Sequence, residues 1–299
     1  MNGHNNVLIL LAAYNGCSSI GEQLETILRQ TDVVVDVVIS VDLSNDDTLD
    51  ICSNYVEKYS NVRLLPYGES FGGAGKNFYR LLKDTDVSCY DYIAFSDQDD
   101  IWPDNKLAKA VQMLQQYDCY SANVTAFWED GREALIDKAQ PQREWDFLFE
   151  AAGPGCTYVF KREVAIKFKT WLLECHEQIG EDIALHDWLL YAFSRNRGYR
   201  WFIDPEPMMR YRQHANNQVG TNNSFAAAKK RLKLVSSKWY RNQVVSISER
   251  LGLCDTPIVK LGLKNGYKGN VYLFFHVGQL RRRLRDRLAL AFFLLLNLF

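Results

Sequence analysis

The chain has no excess of charge of either sign, no paired-cysteine motif and no long apolar run. Its 35 Lys and Arg face 36 Asp and Glu, for a net charge of −1. So even a balance argues against nucleic acid as a partner, because phosphate backbones select basic surfaces. The 7 cysteines (17, 52, 89, 119, 156, 175 and 254) are odd in number, scattered, and without CxxC spacing. They suggest reduced thiols in a cytosolic compartment, not a disulfide framework or a zinc site. The opening "MNGHNNVLILLAAYNG" holds a short apolar run with no basic stretch before it, which reads as a strand and not as a signal peptide. No GxxxxGK[ST] motif occurs, and no GxGxxG follows the first strand. A P-loop and a dinucleotide-binding oxidoreductase are therefore set aside. The glycines of "GGAGKNF", Gly72 to Phe78, read instead as a place where backbone passes close to a ligand or where a helix starts at Lys76.

What is present is the profile of a folded protein. Hydrophobic residues make up 47% and charged residues 24% of 299 residues, enough for one large or two modest domains. The first third alternates. "NVLILLAAYN", "VDVVISVD", "NVRLLPY" and "YDYIAFSD" read as strands. Between them, "SSIGEQLETILRQT", "NDDTLDICSNYVEKY" and "GGAGKNFYRLLKDT" read as helices, the first with Ile20, Leu24, Ile27 and Leu28 at helical spacing. Ser18 or Ser19 with Glu22 is placed for a capping box. Alternation of this kind implies a doubly wound α/β fold with a mostly parallel sheet flanked by helices. Ligands bind such sheets at the carboxyl ends of the strands, where Tyr14-Asn15, Asp42 and Asp97 to Asp100 fall.

The densest chemistry lies in "YIAFSDQDDIW", Tyr92 to Trp102. Asp97, Asp99 and Asp100 arrive within four residues at the end of an apolar strand. Like charges so close raise one another's pKa, and a hard divalent cation is the simplest compensation. The plainer reading is a solvated loop, with Asp100 capping the helix that Trp102-Pro103 leads. Residues i and i+2 of an extended segment point the same way, so Asp97 and Asp99 can face one ligand.

Four segments in order carry a resemblance: "AAYNG", "VDLSNDDT", "FSDQDDIW" and "HDWLL … YRQHANN". From about Val7 to Gly220 the chain resembles family-two glycosyltransferases of the GT-A fold. "SDQDDIW" with "YRQHANN" is similar to bacterial rhamnosyltransferases that build cell-surface polysaccharides such as O-antigen or capsule. The resemblance implies a GT-A domain over 1–220, with a helical extension over 221–299. It implies that Ala13, Tyr14, Asn15, Asp42, Asn77, Asp97, Gln98 and Arg212 bind a nucleotide-sugar, with dTDP-L-rhamnose as the expected donor. Asp97-Gln98-Asp99 resembles the DxD motif, whose second Asp binds Mg²⁺ or Mn²⁺; here that is Asp99, with His214 as a further ligand. Asp187 of "HDW" stands where the family keeps its general base, and Asp182 is the alternative. Gly155, Trp188 and Trp102 are expected at the acceptor, although both tryptophans suit a core equally well. The family usually writes "DDGSTD" where this chain has Val41 and Leu43 around Asp42, so base recognition differs in detail.

The implied reaction is inverting transfer to a lipid-linked oligosaccharide at the cytoplasmic face of the membrane. The tail "LRRRLRDRLALAFFLLLNLF" fits that location from its own residues: five arginines precede an apolar stretch too short to span a bilayer. The alternative for this tail is packing on its own domain or on another subunit of a homo-oligomer. Rival functions are a UDP-hexose transferase of the same fold, a non-catalytic nucleotide-binding scaffold, and a metal-dependent hydrolase of nucleotide-sugars.

Overall fold

In a computed structural model of the chain, residues 5–175, 179–213 and 238–299 are described. The expected alternation holds through the first third. Strand β1 (Asn5–Ala13), helix α1 (Ile20–Leu28), β2 (Val33–Val41), α2 (Thr48–Lys58), β3 (Val62–Leu64), α3 (Ala74–Asp84) and β4 (Tyr92–Ser96) follow in turn. β1 from Val7 and β4 as far as Phe95 are buried and apolar, as strands covered on both faces by helices must be. β3, β2, β1 and β4 pair in parallel in that order. This gathers the carboxyl ends of β1, β2 and β4 along one edge.

Beyond β4 the sheet changes direction. α4 (Lys106–Leu114) leads to β5 (Cys119–Phe127), β6 (Glu133–Ile136), the short α5 (Asp146–Phe149) and β7 (Val159–Lys161). β7 joins β4 and β5 antiparallel, and β6 joins β5 antiparallel. β8 (Trp201–Arg212) runs parallel to β5, with register shifts near Asn123. Between β7 and β8 lie α6 (Arg162–Glu174), α7 (Ile179–Asp182) and α8 (His186–Asn196).

Two expected caps are absent. Ser19 precedes α1 without a side-chain cap bond, and Glu22 pairs with Arg212 instead. Asp100 caps no helix: α4 is preceded by Asn105, and Asp100 is buried.

The expected domain boundary at 220/221 lies outside the described residues. On its far side come α9 (Trp239–Arg250), a π-helical stretch Ile258–Leu263, α10 (Gly266–Phe275), α11 (Val277–Leu280) and α12 (Leu284–Leu295). Val244, Ile247, Leu273, Leu290 and Phe299 share one apolar cluster with Phe78, Phe95 and Phe149. The arginines expected to face a lipid surface mostly turn inward. Arg282 is fully buried against Asp146 (2.9 Å) and Glu150 (3.5 Å). Arg281 bonds the Phe149 carbonyl, Arg283 that of Asp137, and Arg287 those of Arg281 and Arg282. Arg285 stays exposed. The reason is local: α5 and the segment after it supply two buried carboxylates and the carbonyls of Phe149 and Ala151, and a buried carboxylate needs a cation.

Candidate active site

The loop after β1 is tied to its neighbours on both sides. Gln98 bonds the Tyr14 backbone twice, accepting from its N–H at 2.7 Å and donating to its carbonyl at 2.8 Å. A Cβ on Gly16 would sit 2.2 Å from Gln98 Oε1, so only glycine lets that amide lie there. Asn15 adopts left-handed φ of 46°, a conformation that asparagine tolerates. Its N–H donates to Ser44 Oγ, and its Oδ1 accepts from the Asn45 N–H. Tyr14 is left exposed at the rim.

Asp42, at the end of β2, is buried and fully engaged. Its carboxylate accepts from the N–H groups of Leu43 (2.8 Å), Phe71 (2.9 Å) and Gly72 (3.2 Å). It therefore shapes the loop before α3 as well as lining the edge. Asn77 is buried too, and donates to the Ser40 carbonyl at 2.9 Å. It braces β2 from behind.

The acidic cluster is the electrostatic centre. Asp97, Asp100 and the Cys156 thiol have ligand atoms within 4.8 Å of one another. Both oxygens of Asp100 are buried without a hydrogen-bond partner. Burial, and next the Asp99 charge, push the Asp97 carboxyl up to about 7; the Asp187 charge adds to this. Burial and the charges of Asp99 and Asp97 hold Asp100 well above the usual carboxylate range. Orphaned carboxylate oxygens beside more acid form a hard-donor set that fits Mg²⁺ or Mn²⁺. Cys156 is not such a donor, since burial keeps its thiol protonated. Asp99 contributes its charge, and its carbonyl accepts from Arg212 Nε at 3.0 Å. Arg212 also pairs with Glu22 and lies over the Phe127 ring, so it ties α1 to the acidic loop. His214 lies outside the described residues.

Asp187 opens α8 and comes to the same place, as its charge on Asp97 requires. Burial raises it to about 6, against the N–H of Trp188 (2.8 Å), the Lys138 charge and the Gly155 N–H. A Cβ on Gly155 would lie 2.8 Å from Asp187 Cβ. Gly155, at the head of a 3₁₀ turn (Gly155–Thr157), is glycine because α8 begins against it. Gly75 plays the same part from α3. A Cβ there would be 2.1 Å from the Ala184 carbonyl oxygen. Of the glycines of "GGAGKNF", Gly75 thus admits the chain's own segment before Asp187, and the helix starts at Ala74 rather than Lys76. Asp182, the alternative base, is paired with Arg250.

The two tryptophans are corrections. Trp102 is buried beneath the Lys106 ammonium, which sits 3.1 Å from its ring centroid. Trp188 is buried, donates to the Phe147 carbonyl at 3.0 Å and stacks on Tyr240. Neither shows a face to a sugar; their indoles fill core volume, the larger energetic use of an aromatic ring.

Three site residues are missing from the sequence reading. Lys106 is fully buried, donates to the Cys156 carbonyl at 3.2 Å, and burial lowers it to about 7 against the opposing pull of Asp100. Cys156 lies between Asp97 and Asp100. His186 stacks on Phe78 at 3.9 Å with its Nε2 unpartnered, and burial pushes it down to about 3, so the ring is neutral. Only its position beside Asp187 gave a signal in the sequence.

Residues 8–161 match the family model for Glycosyl transferase family 2. The chain is 49% identical to the dTDP-rhamnosyl transferase RfbG of Shigella flexneri, over 97% of its own length and all of that protein's. Among solved structures it is similar to S. aureus TarS 1–349 in complex with UDP (TM-score 0.59, 13% identity, 97% of this chain and 90% of that one). It is also similar to the mannosyltransferase PcManGT of Pyrobaculum calidifontis in complex with GDP-Man and Mn²⁺ (TM-score 0.52, 16% identity, 98% and 85%). At such low identity these two speak for the fold, the GT-A arrangement expected above.

Proposed function

The chain belongs to glycosyl transferase family 2 and is a glycosyltransferase, and on that premise we propose that it transfers L-rhamnose from dTDP-L-rhamnose, with inversion, to a hydroxyl of a lipid-linked oligosaccharide. The observation that carries the donor is the 49% identity, end to end, with a protein named as a dTDP-rhamnosyl transferase. The donor lies across Ala13, Tyr14, Asn15, Asp42 and Asp97, with Gln98 holding the Tyr14 loop and Arg212 near the diphosphate. Asp99, with His214 as the resemblance implies and the buried carboxylates of Asp97 and Asp100 beside it, would hold Mg²⁺ or Mn²⁺, which would supply charge neutralisation for the leaving diphosphate. Asp187 accepts the proton of the acceptor hydroxyl as that oxygen attacks the anomeric carbon and the bond to the diphosphate breaks. Attack from the Asp187 side, opposite the leaving group, inverts the configuration. Gly155 lets the start of α8 close onto the loop and so sets where Asp187 meets the acceptor. Such an acceptor would keep the enzyme at the cytoplasmic membrane face, in synthesis of a bacterial surface polysaccharide.

A UDP-hexose donor in the same fold is the second reading, since Val41 and Leu43 beside Asp42 leave base recognition different in detail without naming the base. Calorimetric titration with dTDP-L-rhamnose and UDP-sugars, each with Mg²⁺ and with chelator, separates the two. Metal-dependent binding of dTDP-L-rhamnose that Asp99→Ala abolishes is the expected result. Tighter binding of a UDP-sugar would overturn the donor and keep the chemistry.

A further inference from the structure

Two helices of the C-terminal region are apolar on both faces. Their inner faces bury Leu273 on α10 and Leu290 and Leu294 on α12. Their outer faces carry stripes at intervals of four: Tyr267, Val271 and Phe275 on α10, and Leu284, Leu288 and Phe292 on α12. Phe275 is 78% exposed, Leu284 68%, Leu288 64% and Phe292 58%. The helices lie side by side, with the Tyr267 hydroxyl donating to the Leu295 carbonyl at 3.2 Å and Asn270 bonding Asn297 at 2.9 Å. The two exposed stripes therefore lie on neighbouring helices. A water-soluble fold does not expose six large apolar side chains in register without an occupant.

Charge identifies the occupant. From Thr256 to Phe299 the chain has eight cations (Lys260, Lys264, Lys268, Arg281, Arg282, Arg283, Arg285, Arg287) and a single acid, Asp286. Four arginines turn inward, as described above, while Lys260, Lys268 and Arg285 remain at the surface around the stripes. A second copy docked on this face would bring like charges together, since a two-fold interface sets a patch against itself. An anionic lipid leaflet brings the opposite charge. Crossing is excluded for the described residues, none of whose helices is long and apolar enough. We propose that α10 and α12 together form a monotopic docking face that lies in the headgroup region of an anionic bilayer. This deepens the membrane-face part of the function proposed above and replaces its basis: the apolar stripes, and not the arginine run, are the contact.

The face is joined to the acceptor side of the site. Arg282, just before α12, holds Asp146, Glu150 and the Ala151 carbonyl. Four residues later the same segment reaches Gly155, against Asp187. A docked protein therefore keeps the acceptor loop at the lipid surface.

Co-sedimentation of the full chain with vesicles tests this. The wild type should sediment with phosphatidylglycerol-rich vesicles and much less with pure phosphatidylcholine. The triple variant Phe275→Ser, Leu288→Ser, Phe292→Ser should lose partitioning by about tenfold or more. Because the three side chains are exposed, its melting temperature and donor binding should match wild type. Reversing charge with Lys260→Glu, Lys268→Glu and Arg285→Glu should remove the preference for anionic vesicles. Equal sedimentation of the triple variant overturns the proposal, as does a wild type that ignores both vesicles. So does a wild-type dimer in solution that the triple variant converts to monomer without any vesicle binding, since the face would then join two copies. Donor binding on the same samples reports separately on the transferase reading, which can fail while the docking face stands.

Discussion

At the scale of single residues the site is an arrangement of carboxylates that protein surroundings keep from ionising. Asp187 at about 6 and Asp97 at about 7 both lie above the ordinary aspartate range because burial disfavours their charged forms. A general base must be unprotonated, so kcat/KM should fall as pH drops through 7 to 6. Asp187→Asn should remove that acid limb and lower turnover by about 10²–10⁴-fold, with donor affinity retained. A steady-state pH profile with parallel calorimetry checks both halves. The stability consequence has the opposite sign. A carboxyl whose folded pKa is raised binds its proton more tightly in the folded state, so stability falls as pH rises from about 4 to about 7. In chelator, the melting temperature should decline across that window. Asp97→Asn should recover about 1–3 kcal/mol above it, although donor binding is lost. If Asp97→Asn instead destabilises the chelated protein, the buried acids are held by protein contacts and await no cation.

At the scale of elements, the parallel part of the sheet could be read from the sequence and the antiparallel part could not. β1, β2 and β4 are mostly apolar runs, β2 broken by Asp36 and Ser40, between amphipathic helices, the pattern that a doubly covered strand imposes. β7 and β6 are short, and β5 pairs not only with its neighbour β6 but with β7 and β8, which lie far from it in sequence, so periodicity does not show them. The acids of the site were visible for the same reason as the first strands: strand ends converge whatever the residues. Lys106 and Cys156 were invisible, since a buried lysine over Trp102 depends on contacts between α4 and the 3₁₀ turn, which no local pattern encodes. Glycines mark where elements press together. Gly75 is the sharpest case, because a Cβ there meets rigid backbone at Ala184. Gly75→Ala should cost about 1–3 kcal/mol. It should also displace the start of α8, lowering kcat more than donor affinity. Thermal melts and a kcat-against-Kd comparison check it; unchanged kcat would mean that α8 does not depend on this contact.

At the scale of the whole molecule, the C-terminal region is held to the catalytic domain by an ionic knot set in an apolar layer. Arg282 has no exposed side chain and meets two carboxylates, Asp146 and Glu150, that are themselves buried. Reading the arginine run from sequence gave its sign but not its direction, because five arginines in seven residues look alike until their partners are known. Arg282→Ala leaves two acids buried with less compensation: Arg195 alone on Asp146 at 3.1 Å, and Arg281 on Glu150 only at 3.9 Å. That should cost about 3–5 kcal/mol. Arg285→Ala, three residues along the chain, removes an exposed side chain beside Asp286 and should cost under about 1 kcal/mol. The pair of melting temperatures discriminates between two kinds of C-terminal region. A large gap means that α10 to α12 fold as part of the transferase, so anything that docks on them moves the acceptor loop as well. Equal, small losses would mean an appendage whose position is independent of the site, and the coupling through Glu150 to Gly155 would have no energetic basis.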